Sequence, residues 1–188
     1  MATRDALLVM DVQQGIMARF AGAEHAVGYA ERLRTAIEAA RAADVPVIYV
    51  VVGFRAGHPE VSARNKIFGA LAQSGAFAEG TPDTAVYPGI APLPGDVVVT
   101  KKRVSAFAGS DLDLVLRAKG VDGLVLAGIA TSGVVLSTVR QAADLDFRLT
   151  VLADGCLDAD AEVHRVLVRK VFPRQAEVLD TAEWIKGL

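Results

Sequence analysis

The sequence ALLVMDVQQG at residues 6–15 sets five apolar residues directly before a carboxylate, Asp11. An apolar run without polar alternation is typical of a strand buried on both faces. Similar strands are predicted at 47–52, 97–100, 124–127 and 149–152, and helices at 24–43, 111–119, 132–144 and 160–171. Apolar strands that alternate with helices predict a mainly parallel sheet between two helical layers, a three-layer α/β/α, Rossmann-like fold.

Composition narrows the class of protein. The 188 residues predict a single domain over 1–188, and a hydrophobic content of 52% with a mean hydropathy of +0.35 excludes intrinsic disorder. The longest apolar stretch, residues 45–54, is much shorter than the ~20 residues of a membrane span, so no membrane partner is expected. The single cysteine excludes an intrachain disulfide and favours a cytoplasmic protein. With a net charge of −2, no nucleic-acid partner is expected.

Residues 53–95 form a long irregular segment with scattered Gly and Pro and only a weak helical pattern at 64–73. Long loops inside a compact domain are usually functional. We expect this segment to cover a binding site, either within its own subunit or in a neighbouring one.

Functional residues are expected at the carboxyl ends of the parallel strands, because ligands of open parallel sheets bind there. Asp11 follows the first strand, Lys101 the third, and the Gly-rich turn at 128–134 the fourth. Asp11 and Lys101 are expected within ion-pair distance because both would close the same end of adjacent strands. Each has a simpler interpretation: a helix N-cap for Asp11, a solvated charge run at 101–103 for Lys101, and a tight connection for the turn. The turn could also present backbone N–H groups to an anion.

Other candidate chemistry is weaker. The three histidines are far apart in sequence, so no metal site is predicted. No GxGxxG or Walker A pattern supports dinucleotide or nucleotide binding, and no cofactor is expected. Cys156 follows the fifth predicted strand, and we expect it to be a small buried residue. The less favoured alternative is a catalytic thiolate.

Three motifs in order resemble the isochorismatase-like hydrolases, also called the cysteine hydrolase or nicotinamidase family. These are LLVMDVQQ at 7–14, VTKKRVSAF at 99–107 and GIATSGVVLST at 128–138, and the resemblance runs from about residue 5 to 178. It implies a six-stranded parallel sheet, a homodimer or higher homo-oligomer, and an Asp–Lys–Cys catalytic triad. Asp11 matches the aspartate and Lys101 the lysine. Ile129-Ala130 matches a cis peptide that exposes backbone N–H groups to an oxyanion.

The sequence departs from this family pattern at the nucleophile. The cysteine is expected at position 134, where this chain has Val134, and an isopropyl group cannot attack a carbonyl. Residues 51–58 lack the Asp-x-His metal motif of nicotinamidases. True isochorismatases also lack the cysteine, but they typically carry Tyr in place of Ala130, which disfavours isochorismate as the substrate.

Two functions therefore remain. The first is a hydrolase acting on a small organic molecule, with Asp11 as general acid/base and Lys101 as its partner. Gln13 is a candidate for a substrate hydrogen bond, and Phe107 either lines the pocket or anchors the core. Val134 is expected to point toward Asp11 and Lys101. The second function is a pseudoenzyme that binds a small molecule or acts as a scaffold.

Overall fold

A computed structural model describes residues 4–188, and its centre is a six-stranded sheet. The strands are β1 (Asp5–Met10), β2 (Val47–Val52), β3 (Val97–Lys101), β4 (Gly123–Ile129), β5 (Arg148–Leu157) and β6 (Glu177–Leu179). Their order is β3-β2-β1-β4-β5-β6, and each pairing is parallel. The predicted parallel sheet is confirmed.

Helices cover both faces of this sheet. They are α1 (Gln14–Met17), α2 (Tyr29–Ala42), α3 (Lys66–Ser74), α4 (Leu112–Ala118), α5 (Leu136–Asp144), α6 (Ala161–Val166) and α7 (Thr181–Lys186). Within residues 4–188, no helix combines the length and the apolar character needed to cross a bilayer.

The side chains of β1 show how the layers form, because successive residues of a strand point to opposite faces. Leu8 and Met10 pack in one buried cluster with side chains of α4 and α5. Leu7 and Val9 pack in a second cluster with α2 and with Trp184 of α7. The strand is apolar throughout because both of its faces are buried, and the predicted three-layer arrangement is confirmed.

The predicted elements differ from the structure mainly at their ends. The helix predicted from residue 24 begins at Tyr29, because Gly28 takes a left-handed conformation, with φ 72°, that separates α2 from a short 3₁₀ turn at Glu24–Ala26. The strand predicted at 149–152 extends as β5 to Leu157, past an irregularity in its pairing with β4. The helix predicted at 132–144 starts with a distorted turn at Thr131–Val135 before α5.

Residues 53–95 are irregular but packed. The weak helical pattern there corresponds to α3, whose first turn is capped by the Asn65 side chain accepting a hydrogen bond from the Phe68 N–H. Phe54, Phe68 and Phe77 form a small apolar cluster with Val52 at the end of β2. This cluster fixes the segment over the carboxyl end of the sheet.

Gly128 lets the ends of β1 and β4 approach each other. Its φ is 153°, and a Cβ built there would lie 2.2 Å from the Met10 carbonyl oxygen. A side chain would therefore force the two strands apart. This close approach brings the turn after β4 next to Asp11, which directly follows β1.

Candidate active site

An ion pair between Asp11 and Lys101 occupies the carboxyl end of the sheet. The Lys101 Nζ lies 2.9 Å from Asp11 Oδ2, and the side chains are only 2% and 10% exposed. The predicted proximity is confirmed, but its stated reason was wrong. The strands β1 and β3 are not adjacent, because β2 lies between them, and the long lysine side chain crosses the end of β2.

Only one of the two oxygens of the Asp11 carboxylate has a hydrogen-bonding partner. Its backbone has a left-handed conformation, with φ 58°, which Asp tolerates better than most residues, and its N–H donates to the Val50 carbonyl at 2.8 Å. Oδ2 accepts from Lys101, whereas Oδ1 is buried without a hydrogen-bond partner. Burial raises the pKa of the carboxyl above its ordinary value, and the Lys101 ammonium opposes that rise. The carboxyl thus keeps one oxygen whose hydrogen-bonding capacity is unused.

The charge run at 101–103 does not behave as a solvated triplet. Lys101 donates a second hydrogen bond to the Arg103 carbonyl at 2.9 Å and stays buried. Lys102 Nζ donates to the Gly53 carbonyl at 2.7 Å and pairs with Glu79 at 2.5 Å. The run therefore supplies one buried cation to the site and also fastens residues 53–95 above it.

The turn after β4 forms another wall. The peptide bond between Ile129 and Ala130 is cis, as the family resemblance implies, and both residues line the same cavity as Asp11. Gly133 has non-helical dihedral angles, and Val134 follows it with a side chain that is almost fully buried. Val134 borders the cavity together with Asp11 and Lys101, as expected. The Ser132 N–H is already engaged, because it donates to Asp158 Oδ2 at 2.7 Å.

The cavity has a volume of about 330 Å³ and a mostly apolar lining. Residues 53–95 contribute Ile67, Phe68, Leu71 and Phe77 to it, so the prediction that this segment covers the site is confirmed within one subunit. A contribution from a neighbouring subunit stays a prediction, as does the homo-oligomer itself. A concave apolar site with a few convergent charged groups is typical of a small-molecule pocket.

Two sequence candidates do not face this cavity. Gln13 is fully buried, and its amide exchanges hydrogen bonds of 2.8 Å with the Val52 N–H and carbonyl while also donating to the Thr84 carbonyl at 2.9 Å. Its hydrogen-bonding groups hold the chain together and leave little capacity for a substrate. Phe107 packs in the core with its ring centroid 5.9 Å from that of Phe147. The core role of Phe107 is favoured over the pocket role.

Cys156 lies elsewhere. It is buried in β5, with its Sγ 3.9 Å from the Leu126 carbonyl oxygen, and burial raises the pKa of its thiol to about 12. It borders a smaller cavity of about 130 Å³, together with His25, Asp158 and His164. The thiol is therefore kept protonated, and it does not line the cavity of Asp11.

Sequence reasoning missed Arg19. It lies in the 3₁₀ turn Ala18–Phe20, lines the cavity of Asp11, and places its guanidinium carbon 6.0 Å from the centre of the Phe77 ring. Nothing in the sequence points to it, because it is not at a strand end. Across residues 4–188, no group of three or more His, Cys, Asp or Glu side chains is arranged to hold a metal ion.

Comparison with known proteins gives a consistent result. Residues 5–183 match the isochorismatase domain. An uncharacterized isochorismatase family protein of Escherichia coli O157:H7, YecD, is 34% identical over all of this chain and 97% of its own length. The ureidoacrylate amidohydrolase RutB of Stutzerimonas stutzeri is 33% identical over 86% of this chain and 73% of its own length. The crystal structure of a cysteine hydrolase from Pseudomonas syringae pv. phaseolicola superimposes with a TM-score of 0.89 at 27% identity, covering 97% of this chain and 91% of that one.

Proposed function

The chain belongs to the isochorismatase family of hydrolases, and from this premise we propose that it hydrolyses a small organic molecule by acid–base chemistry of Asp11 and Lys101, without a cysteine nucleophile. The observation that supports this proposal best is the buried Asp11 side chain, which lines the cavity of about 330 Å³ and whose Oδ1 has no hydrogen-bond partner. An unsatisfied buried oxygen is costly unless a proton or a ligand engages it.

The identity of residue 134 restricts the reaction. An amidase mechanism through a thioester requires a thiolate beside the Asp–Lys pair, and Val134 stands there instead. Cys156 supports no substitute, because it borders a different cavity and its thiol pKa is raised to about 12. RutB is a ureidoacrylate amidohydrolase, and the residue at position 134 favours a different reaction for this chain.

Hydrolysis of an enol ether is the reaction that these groups suit best. Protonated Asp11 delivers its proton to the terminal alkene carbon, and positive charge develops on the carbon that bears the ether oxygen. A water molecule adds to that carbon and returns a proton to the Asp11 carboxylate. The resulting hemiketal breaks its ether C–O bond, the departing oxygen takes a proton from the Asp11 carboxyl and the hemiketal hydroxyl returns one to it, and the products are a carbonyl compound and an alcohol. Lys101 orients the carboxyl and limits the rise of its pKa.

The test is an assay of the purified protein against small enol ethers, esters and amides. We expect turnover of enol ethers, and Asp11→Asn should reduce it by roughly 10²–10⁴-fold, the usual contribution of a general acid. Asp44→Asn is the matched control, since Asp44 is an exposed Asp that also has positive φ, at 57°. If the protein binds these compounds without turning any of them over, the proposed hydrolase activity is wrong and the pseudoenzyme is supported. Turnover that survives Asp11→Asn would overturn the mechanism.

A further inference from the structure

We propose that Arg19 binds a carboxylate of the substrate, so that the site selects small carboxylic acids with an apolar body. This inference rests on the proposed function only in placing the substrate in the cavity of Asp11. The new elements are a residue that recognises the ligand, Arg19, and a chemical class for that ligand.

The first support is the charge balance of the cavity wall. Its ionisable side chains are Asp11, Lys101 and Arg19. While Asp11 is ionised, it and Lys101 neutralise each other in the 2.9 Å ion pair. Arg19 is exposed, and its guanidinium makes no hydrogen bond or ion pair within the described part of the chain, so the wall keeps at least this one uncompensated positive charge in either protonation state of Asp11. A carboxylate would pair with it.

The second support is how Arg19 is held. The guanidinium lies over the Phe77 ring, with 6.0 Å between its central carbon and the ring centre, within the range of a cation–π contact. Phe77 is itself fixed, because its N–H donates to Asp83 Oδ2 at 2.6 Å and its ring packs in the buried cluster with Phe54 and Phe68. The guanidinium is therefore steadied at the cavity while its N–H groups stay available. A planar guanidinium matches the two oxygens of a carboxylate.

The third support is the rest of the lining. Apart from the three charged residues, the cavity presents aromatic and aliphatic side chains, among them Phe20, Phe68, Ile67 and Leu71. Such a wall favours an apolar body between the reactive bond at Asp11 and the carboxylate at Arg19. A sugar-like polyol would leave hydroxyl groups unpaired against this surface.

The test measures binding, so that it does not depend on turnover. Phenylacetate and its uncharged amide, phenylacetamide, are titrated against the intact protein by calorimetry or by NMR shift perturbation. We expect phenylacetate to bind about threefold to fivefold more tightly, the difference expected for one ion pair at an exposed arginine. Arg19→Gln should remove this preference and Arg19→Lys should keep part of it. The preference should weaken at high salt.

Two controls separate the inference from the proposed function. Arg174→Gln removes an exposed arginine that does not line the cavity, and it should leave both affinities unchanged. Asp11→Asn should lower turnover by roughly 10²–10⁴-fold, as above, yet keep the preference for the acid. Equal binding of acid and amide, no detectable binding of phenylacetate at millimolar concentration, or a preference that survives Arg19→Gln would each overturn the role of Arg19. A protein that binds the acid without any turnover would overturn only the proposed hydrolysis.

Discussion

The Lys101 ammonium reaches the Asp11 carboxylate across the end of an intervening strand. The two residues close β3 and β1, with β2 between them, yet Nζ and Oδ2 are 2.9 Å apart. The pairing of Val52 with Lys101 in β2 and β3, and the hydrogen bond from the Asp11 N–H to Val50, fix both ends of the pair to the sheet. Three rigid strands therefore set its geometry, which is the precision that acid–base chemistry needs.

Removing the ammonium should move the pH dependence upward. Burial raises the pKa of Asp11 and Lys101 lowers it, so Lys101→Met should raise that pKa further. A general acid loses activity as the pH rises through its pKa. The falling limb of the kcat/KM profile should therefore shift to higher pH in the variant, while the maximal rate decreases because the carboxyl is less well oriented.

A second readout of this prediction does not need a substrate. NMR titration of ¹³C-labelled aspartate carboxyl carbons should show the Asp11 midpoint at higher pH in Lys101→Met than in the wild type. Lys102→Met is the control, because the Lys102 ammonium bonds to Gly53 and Glu79 rather than to Asp11. A midpoint that moves down, or that moves equally in both variants, would contradict the pairing.

The strands that could be predicted from the sequence are those that are buried on both faces, because such strands consist of uninterrupted apolar residues. β1, β2 and β4 are each buried along almost their whole length, and all were predicted. β6 was not located, because Glu177 is exposed and the other two residues are only partly buried, so the strand leaves no apolar run. The chain after it ends in α7, a short helix whose N-terminus depends on the Asp180–Glu183 capping box.

The site was predictable only where side chains follow strand ends. Asp11 and Lys101 do, and the parallel topology brings them together. The roles of Gln13 and Arg19 depend on how residues 53–95 return to the chain after β1, through the bridge between Gln13 and Val86 and the position of Phe77. No local pattern indicates such contacts, so the sequence did not show that the Gln13 amide bonds to Val52 and Thr84, and Arg19 was missed.

Truncating the Phe107 side chain should lower the stability of the fold and leave the affinity for ligand unchanged. Its ring is 9% exposed and packs in the core against Phe147, so Phe107→Ala should lower the free energy of unfolding by roughly 3–5 kcal/mol. Chemical denaturation measures this loss, and the affinity for phenylacetate per folded molecule should not change. Phe20→Ala is the contrasting variant, since Phe20 lines the cavity and its loss should weaken binding. Weakened binding in Phe107→Ala alone would restore its pocket role.

Stability should depend on pH through His164. Its Nδ1 lies 2.8 Å from the Thr131 hydroxyl, and burial lowers the pKa of the ring, with His25 lowering it further and Asp158 opposing. The unfolded chain then takes up a proton at higher pH than the folded one. Stability linked to His164 is thus fully present above about pH 6.5 and decreases as the pH falls through that value toward the lowered pKa.

His164→Asn keeps a hydrogen-bonding partner for the Thr131 hydroxyl but removes the titratable ring. Denaturation midpoints measured between pH 8 and pH 5 should therefore fall less steeply in His164→Asn than in the wild type. His25→Asn removes one of the groups that lower the His164 pKa, so its slope should lie between the two. Parallel curves for wild type and His164→Asn would show that this ring does not couple to folding.

A cysteine placed at position 134 should become a reactive thiol. The Val134 side chain borders the cavity with Asp11 and Lys101 and lies just before α5. A helix N-terminus and a nearby ammonium both lower a thiol pKa from ~8.5, whereas burial raises the pKa of Cys156 to about 12. Iodoacetamide should therefore alkylate Val134→Cys much faster than the wild-type protein at pH 7.

The modified residue is identified by peptide mass spectrometry, and Cys156→Ser in the Val134→Cys background leaves one thiol as the control. Adding Lys101→Met should slow the alkylation, because the ammonium that stabilises the thiolate is lost. If Cys156 were instead the faster thiol, or if Cys156→Ala abolished wild-type turnover, the nucleophile would belong to β5, the strand next to β4. Position 134 would then be only a wall of the cavity, and the proposal of chemistry without a cysteine would fail.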